Sequence, residues 1–214
     1  MTGVLVFAEW REGRVHPVTY ELLGKGRELA DKLGVELWSA LLGYRVEELA
    51  KELIYHGADK VFLYDHSSLR VFDVVRYKEN LVRLTKEEKP EVFLFGATPI
   101  GRSLAPRVAA ALNTGLTADC TDIFVDENGE IVQVRPAFTG NILAYIKTRS
   151  RPVMATIRYR VMAPLPKDTS RKGSIVRKEV VEVEETGIRV LRKVSERKVN
   201  LADADVIVAG GRGL

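Results

Sequence analysis

Residues 91–103 read EVFLFGATPIGRS, and the fold turns on this stretch. Glu91 to Gly96 is an apolar run too short for a helix and suited to a strand covered on both faces. Thr98 then stands as a helix N-cap, with Pro99 at the first helical position, where a missing N–H is harmless. A strand running directly into a capped helix is half of a strand–helix–strand crossover.

The same alternation extends upstream. GVLVFA (3–8) reads as a buried strand. Leu22, Leu29, Ala30 and Leu33 share one face of a helix expected to start near Thr19 and to stop at Gly34. ELWSALL and KVFLY are the next strands, with VEELAKELIYH as the helix between them. Val71, Val74, Tyr77, Leu81 and Leu84 mark a long amphipathic helix that Pro90 terminates. The helix after Thr98 should reach about Leu112, with a kink at Pro106. Strands near 3–8, 35–42, 60–64 and 91–96, each followed by a helix, require right-handed crossovers. The fold class is therefore α/β, a doubly wound and mainly parallel sheet covered on both faces.

Past Thr114 the pattern changes. LTADCTDIFVDENGEIVQVRPAF holds two strand-like runs joined at Asn128-Gly129, a strong hairpin signal. NILAYIKT and PVMATIRYRV add two more strands, and the polar stretch PLPKDTSRKGS follows. IVRKEVVEVEE and IRVLRKVSE alternate apolar and charged residues, as half-exposed antiparallel or edge strands do. Antiparallel strands after residue 117 are expected to extend the sheet, with a peripheral strand layer beside it. Asp205 to Ala209 reads as one more buried strand, leading into Gly210, Gly211, Arg212 and Gly213. A glycine-rich loop of that kind lets backbone N–H groups approach a phosphate.

Composition narrows the function classes. The 214 residues suit one large domain, or one domain with an appendage. Net charge is +4, from 33 basic and 29 acidic residues that interleave, so no nucleic-acid partner is expected. The single cysteine, Cys120, excludes an internal disulfide and suits a reducing compartment. MTGVLVFAEW has no basic leader region, and its apolar run meets Glu9 too early to span a bilayer. A cytoplasmic protein that is not membrane-embedded is expected.

In open α/β sheets ligands bind beyond the carboxyl ends of the strands. Glu9, Gly43, Asp65, His66 and the segment from Gly96 to Ser103 fall there. The segment could hold an anion at its helix N-terminus, with Arg102 nearby, or be an ordinary capped helix packed on its strand. Asp65 and His66 resemble an acid–base pair, but DHSSLR reads better as a polar loop in which Ser67 or Ser68 caps the helix from Val71. His16, His56 and His66 have no metal-ligand spacing, and Cys120 reads as a small core residue. No constellation assembles a catalytic centre, so an enzyme is not expected.

LAPRVAAALNTGLTADCTDI, RPAFTGNILAYIKT, RPVMATIR and the terminal NLADADVIVAGGRGL together resemble the alpha subunit of electron transfer flavoproteins. VLVFAEWREGRVHPVTYELLGKGRELADKLG fits the same family. Thr139 stands where the family commonly has glycine, and TIRYR lacks the proline usual after its arginine. The resemblance implies a Rossmann-like, adenine-nucleotide-hydrolase-like domain over 1–199. It makes 200–214 the first strand and glycine-rich loop of a truncated FAD-binding domain. It further implies an electron carrier rather than a catalyst, paired as a heterodimer with a beta subunit. Electrons would pass from dehydrogenases through FAD to a quinone reductase or another acceptor. Gly211, Arg212 and Gly213 are the implied cofactor-binding residues, with FAD held by the full-length protein and none by this chain. The competing expectation is a stand-alone adenine-nucleotide (AMP or ATP) binding module with its phosphate end at Ala97 to Ser103.

Overall fold

The computed structural model describes residues 2–138, 142–188, 190–192, 204 and 206–213. The first half unfolds in the expected order. β1 (Gly3–Ala8) leads through a small hairpin, β2 (Trp10–Arg11) and β3 (Arg14–Val15), into α1 (Pro17–Leu33). Then follow β4 (Glu36–Gly43), α2 (Glu47–Tyr55), β5 (Lys60–Asp65), α3 (Val74–Glu88), β6 (Val92–Gly96) and α4 (Pro99–Ala111). The second half supplies β7 (Leu116–Cys120), β8 (Asp122–Val125), β9 (Ile131–Ala137), β10 (Ile142–Lys147), β11 (Val153–Ile157) and β12 (Ser174–Arg177).

Among the described residues the large sheet has seven strands in the order β12-β5-β4-β1-β6-β11-β7, and every neighbouring pair is parallel. From β1 the chain steps outward to β4 and β5, then returns to lay β6 on the other side of β1. That reversal makes the sheet doubly wound. Strand residues alternate between two cores. Val4, Val6 and Ala8 face Leu22, Leu29 and Leu53 of α1 and α2, while Leu5 and Phe7 face Tyr77, Leu81 and Leu104 of α3 and α4.

The helix signals hold with local shifts. α1 begins at Pro17 rather than near Thr19, because His16 Nδ1 accepts from the Val18 amide (3.2 Å) and caps the helix before its apolar face begins. Gly34, at φ 66°, ends it as expected. α3 begins at Val74 and not near Val71, with Asp73 as its cap in place of Ser67 or Ser68. Asp73 Oδ1 accepts from both Val75 N (2.9 Å) and Arg76 N (3.1 Å). A carboxylate two bonds from the backbone reaches two amides, and the serines are left to a 3-10 turn over Ser67–Leu69. Pro106 lies inside α4 without ending it.

The second half divides differently from the expectation. The hairpin at Asn128-Gly129 joins β8 and β9, and with β10 they form an antiparallel sheet of their own. β7, β11 and β12 instead join the large sheet in parallel. β11 is buried along its whole length, which only a central strand with cover on both faces can be. Of IVRKEVVEVEE only the start lies in β12, an edge strand, and the described residues of IRVLRKVSE form no strand. Val206 to Ala209 are exposed and form no strand, Val208 at 96%; Asp205 lies outside the described residues. An apolar run is a strand only where another strand supplies hydrogen bonds, and among the described residues none stands beside this one.

Gln133 of β9 ties the two sheets together. It is fully buried, its Oε1 accepts from Thr117 Oγ1 (3.0 Å) and Thr148 Oγ1 (2.8 Å), and its Nε2 donates to Met154 O (2.8 Å). Cys120, at the end of β7, is buried as the core residue it was expected to be. Burial pushes its thiol up to about 12. Since the thiolate is the nucleophile, a disulfide reagent at pH 8 should modify the folded protein on the order of 100-fold more slowly than the guanidinium-unfolded chain. Equal rates, followed by absorbance, would contradict the burial of Cys120.

Candidate functional site: the crevice at the switch point

β1 has neighbours reached in opposite directions, so the crevice beyond its carboxyl end is where an open α/β sheet accommodates a ligand. A cavity of about 670 Å³ lies there. Its floor and walls come from Phe7 in β1 and Trp10 in β2, from Phe72 just before α3 and Tyr77 in its first turn, and from Ile100 in the first turn of α4. The aromatic groups are fixed. Trp10 Nε1 donates to Leu42 O (2.7 Å), and Tyr77 Oη donates toward Leu42 O (3.1 Å) and Leu69 O (3.2 Å). Phe72 meets Tyr77 edge-on with centroids 5.0 Å apart. Burial raises the Tyr77 phenol well above its ordinary range, so it is a neutral donor at any physiological pH.

Two of the charges at the crevice, Glu9 and Arg11, pair with each other. Glu9 is 2% exposed, and its Oε2 accepts from Thr98 Oγ1 at 2.5 Å, while Arg11 Nη2 lies 2.6 Å from its Oε1. Thr98 Oγ1 in turn accepts from Gly101 N (3.1 Å). Glu9 therefore places a carboxylate of this chain against the N-terminal turn of α4, where the anion reading of Gly96 to Ser103 required a phosphate. Of that reading's two forms, the ordinary capped helix is the one found. Arg102 is also engaged, donating to Ala97 O (2.9 Å) and pairing with Asp119 at 3.3 Å.

The other sequence candidates are structural. Asp65 accepts from Arg45 N (2.6 Å) and Val46 N (3.1 Å), which closes the turn into α2. His66 Nδ1 caps the short turn through Ser68 N (3.3 Å). The polar-loop reading of DHSSLR thus holds, with the capping residue changed. Gly43 has no room for a side chain, since a Cβ there would press on Trp10 and Val46. Gly211, Arg212 and Gly213 are exposed, and a Cβ added at either glycine would meet no described atom within 4 Å. Trp10, Phe72 and Tyr77 are wall residues that no sequence motif marks. The bulk of AEWREGR immediately after the first strand signals Trp10, Tyr77 is marked only as an apolar-face position of the third helix, and Phe72 has no such sign. Among the described residues there is no cluster of three or more potential metal ligands, and no helix long and apolar enough to cross a membrane.

A seven-stranded parallel sheet with cover on both faces, and a switch-point crevice walled by aromatic rings, defines a doubly wound domain among the described residues. A protein-family model described as "Electron transfer flavoprotein domain" matches residues 4–183. The chain belongs to the electron transfer flavoprotein family. It is 45% identical, over 99% of its length, to the electron transfer flavoprotein subunit alpha of Thermoanaerobacterium thermosaccharolyticum. It is 47% identical to protein FixB of Clostridium saccharobutylicum, and 42% identical to the lactate dehydrogenase (NAD(+),ferredoxin) subunit LctC of Acetobacterium woodii. The chain spans 65%, 64% and 51% of those three relatives. The resemblance drawn from the sequence is therefore correct, and nothing in the crevice favours the stand-alone nucleotide module.

Proposed function

We propose that this chain is the scaffold and docking part of an electron-carrying alpha subunit, itself not a catalyst, and that it pairs with a beta-type subunit in the cytoplasm. Electrons would travel from dehydrogenases to a quinone reductase or another acceptor through FAD. The observation that supports docking is the outer end of the small sheet. Phe138 is 82% exposed, Tyr145 is 65% exposed, and Ile142 and Leu143 are more than half exposed beside them. β10 is moreover, among the described residues, an edge strand of that sheet. Apolar side chains gathered at a sheet edge that no described strand covers are what a partner covers.

In this reading residues 1–199 are the docking domain and 200–214 begin the FAD-binding domain. Gly211 and Gly213 would allow the cofactor close to the backbone, and Arg212 would contact it. An FAD pocket must bury most of the ligand, whereas this turn offers a few amides and one exposed guanidinium. The chain alone is expected to leave flavin fluorescence unquenched at micromolar FAD.

Co-purification with the cognate beta-type subunit on a sizing column tests the docking role. Leu143→Asp, which puts a charge where the partner would cover an apolar side chain, should weaken the complex by about 30-fold or more, the loss of an interface hot spot. Failure of the unsubstituted chain to form any complex at micromolar concentration would remove this function. So would tight binding by the substituted one.

A further inference from the structure

The crevice has a cationic mouth. Among the charged residues that line it Glu9 and Arg11 pair, which leaves Glu12 against Arg70 and Arg192. Arg70 follows the 3-10 turn at Ser67–Leu69, and its guanidinium lies over the ring of Tyr44, 5.8 Å from the centroid. Arg45 lies over the same ring at 5.2 Å. Its backbone is at φ 58°, a left-handed conformation uncommon for a side chain of this size, and Asp65 fixes that turn by engaging both oxygens with the Arg45 and Val46 amides. Arg45 and Arg70 are exposed, and among the described residues neither guanidinium pairs with a carboxylate. A guanidinium stacked on a ring keeps its in-plane N–H donors for an oxyanion.

We propose that the crevice is a binding site for a compact aromatic carboxylate, its ring against Trp10, Phe72 and Tyr77 and its oxyanion on Arg70 at the mouth. A cavity of about 670 Å³ has the size of a small-ligand pocket. The Trp10 and Tyr77 rings are held by their own hydrogen bonds, so a flat apolar body meets a wall that is already in place. The anion is directed to one end. α4 follows β6 and Arg70 follows β5, on opposite sides of β1 in the sheet, and Glu9 already occupies the turn of α4. Arg70 is left to take the carboxylate with two parallel N–H bonds. Tyr44 does not line the cavity and is a positioning residue, acting through the guanidinium stacked on it. This site does not depend on the docking role.

The chain's two tryptophans make the site readable, since each indole N–H gives its own signal in a proton–nitrogen correlation spectrum. Trp10 reports on the crevice, while Trp38 donates to Glu36 away from it. Cinnamate added to the full chain should shift the Trp10 signal saturably, with a Kd on the order of 1 mM for so small a ligand, and leave Trp38 in place. Cinnamyl alcohol, which has the ring without the charge, should bind about tenfold more weakly. Arg70→Ala should lose about tenfold in cinnamate affinity and nothing in that of the alcohol. Tyr44→Leu keeps both arginines and should lose about threefold, again for the carboxylate alone. Arg70 is at the surface and Tyr44 partly buried, and an unmoved Trp38 signal confirms that each variant is folded. A Trp10 signal that stays fixed at about 10 mM cinnamate overturns the proposal. So does equal affinity for the acid and the alcohol, or an Arg70→Ala chain that binds the acid as the unsubstituted protein does. AMP that binds more tightly than cinnamate would give the crevice to nucleotides and overturn it as well.

Discussion

Gly101→Ala should lower the stability of this domain by about 3–4 kcal/mol, more than most single substitutions achieve. A Cβ at Gly101 would overlap the carbonyl oxygen of Gly96, the last residue of β6. Both partners are backbone, one in the first turns of a helix and the other at a strand end, so no rotamer change relieves the overlap. α4 would have to lift from the sheet and take Thr98 with it, loosening the bond from Thr98 to the buried Glu9. Because the loss lies in packing, it should be independent of pH between about 6 and 9. Each kcal/mol lowers the melting temperature of a chain this size by about 2–4 °C. Ala110→Ser, on the exposed side of the same helix, should cost only about 0.5 kcal/mol. A Gly101→Ala protein that melts with that control would mean α4 can move away from β6 freely.

Asp59→Ala should cost about 3 kcal/mol at pH 7, and this loss should shrink in acid. Asp59 joins three parts of the chain. Its Oδ2 accepts from Arg27 Nη1 (2.6 Å) in α1 and Leu37 N (2.8 Å) in β4, and its Oδ1 accepts from Arg171 Nη2 (2.7 Å) in the approach to β12. Without the carboxylate, the mostly buried Arg27 keeps, among the described residues, its exposed neighbour Asp31 as an acidic partner. Burial opposes ionisation of Asp59, but the Leu37 amide and the two guanidiniums outweigh it, and its carboxyl is held below the ordinary 3.8. A depressed carboxyl contributes stability in full above its unfolded value, and the contribution disappears as pH falls through the folded value. Urea midpoints of the two proteins should therefore be far apart at pH 7 and converge below about pH 4. A gap that is constant with pH would show that Asp59 acts through shape and not charge.

How much of the fold and the crevice is legible in the sequence depends on the range over which each signal acts. EVFLFGATPIG carries its strand, cap and helix start within a few consecutive positions, and the structure keeps all three. Caps are harder to read where two candidates stand close together. Asp73 prevails over Ser67 and Ser68 because one carboxylate oxygen serves two amides. The direction of β11 has a local sign, since VMATI is mostly apolar and lacks the alternation of a half-exposed strand. Its position just after three antiparallel runs conceals it. The crevice is half legible. Its location follows from strand order, but Trp10, Phe72 and Tyr77 come from separate parts of the chain that only the tertiary fold brings together. Val206 to Ala209 show the limit, for an apolar run declares a strand only in company.

The order of the large sheet also bears on how a nascent chain can assemble it. β7 touches that sheet only through β11, yet it is synthesised first, and the whole antiparallel sheet is made in between. Until Val153–Ile157 has left the ribosome, β7 has no rung to hold in the large sheet. The small sheet supplies an interim grip, because Gln133 reaches Thr117 with its oxygen while its amide nitrogen awaits Met154. On that order of synthesis β11 would enter between β6 and a β7 already held by the small sheet, closing the middle of the parallel sheet last.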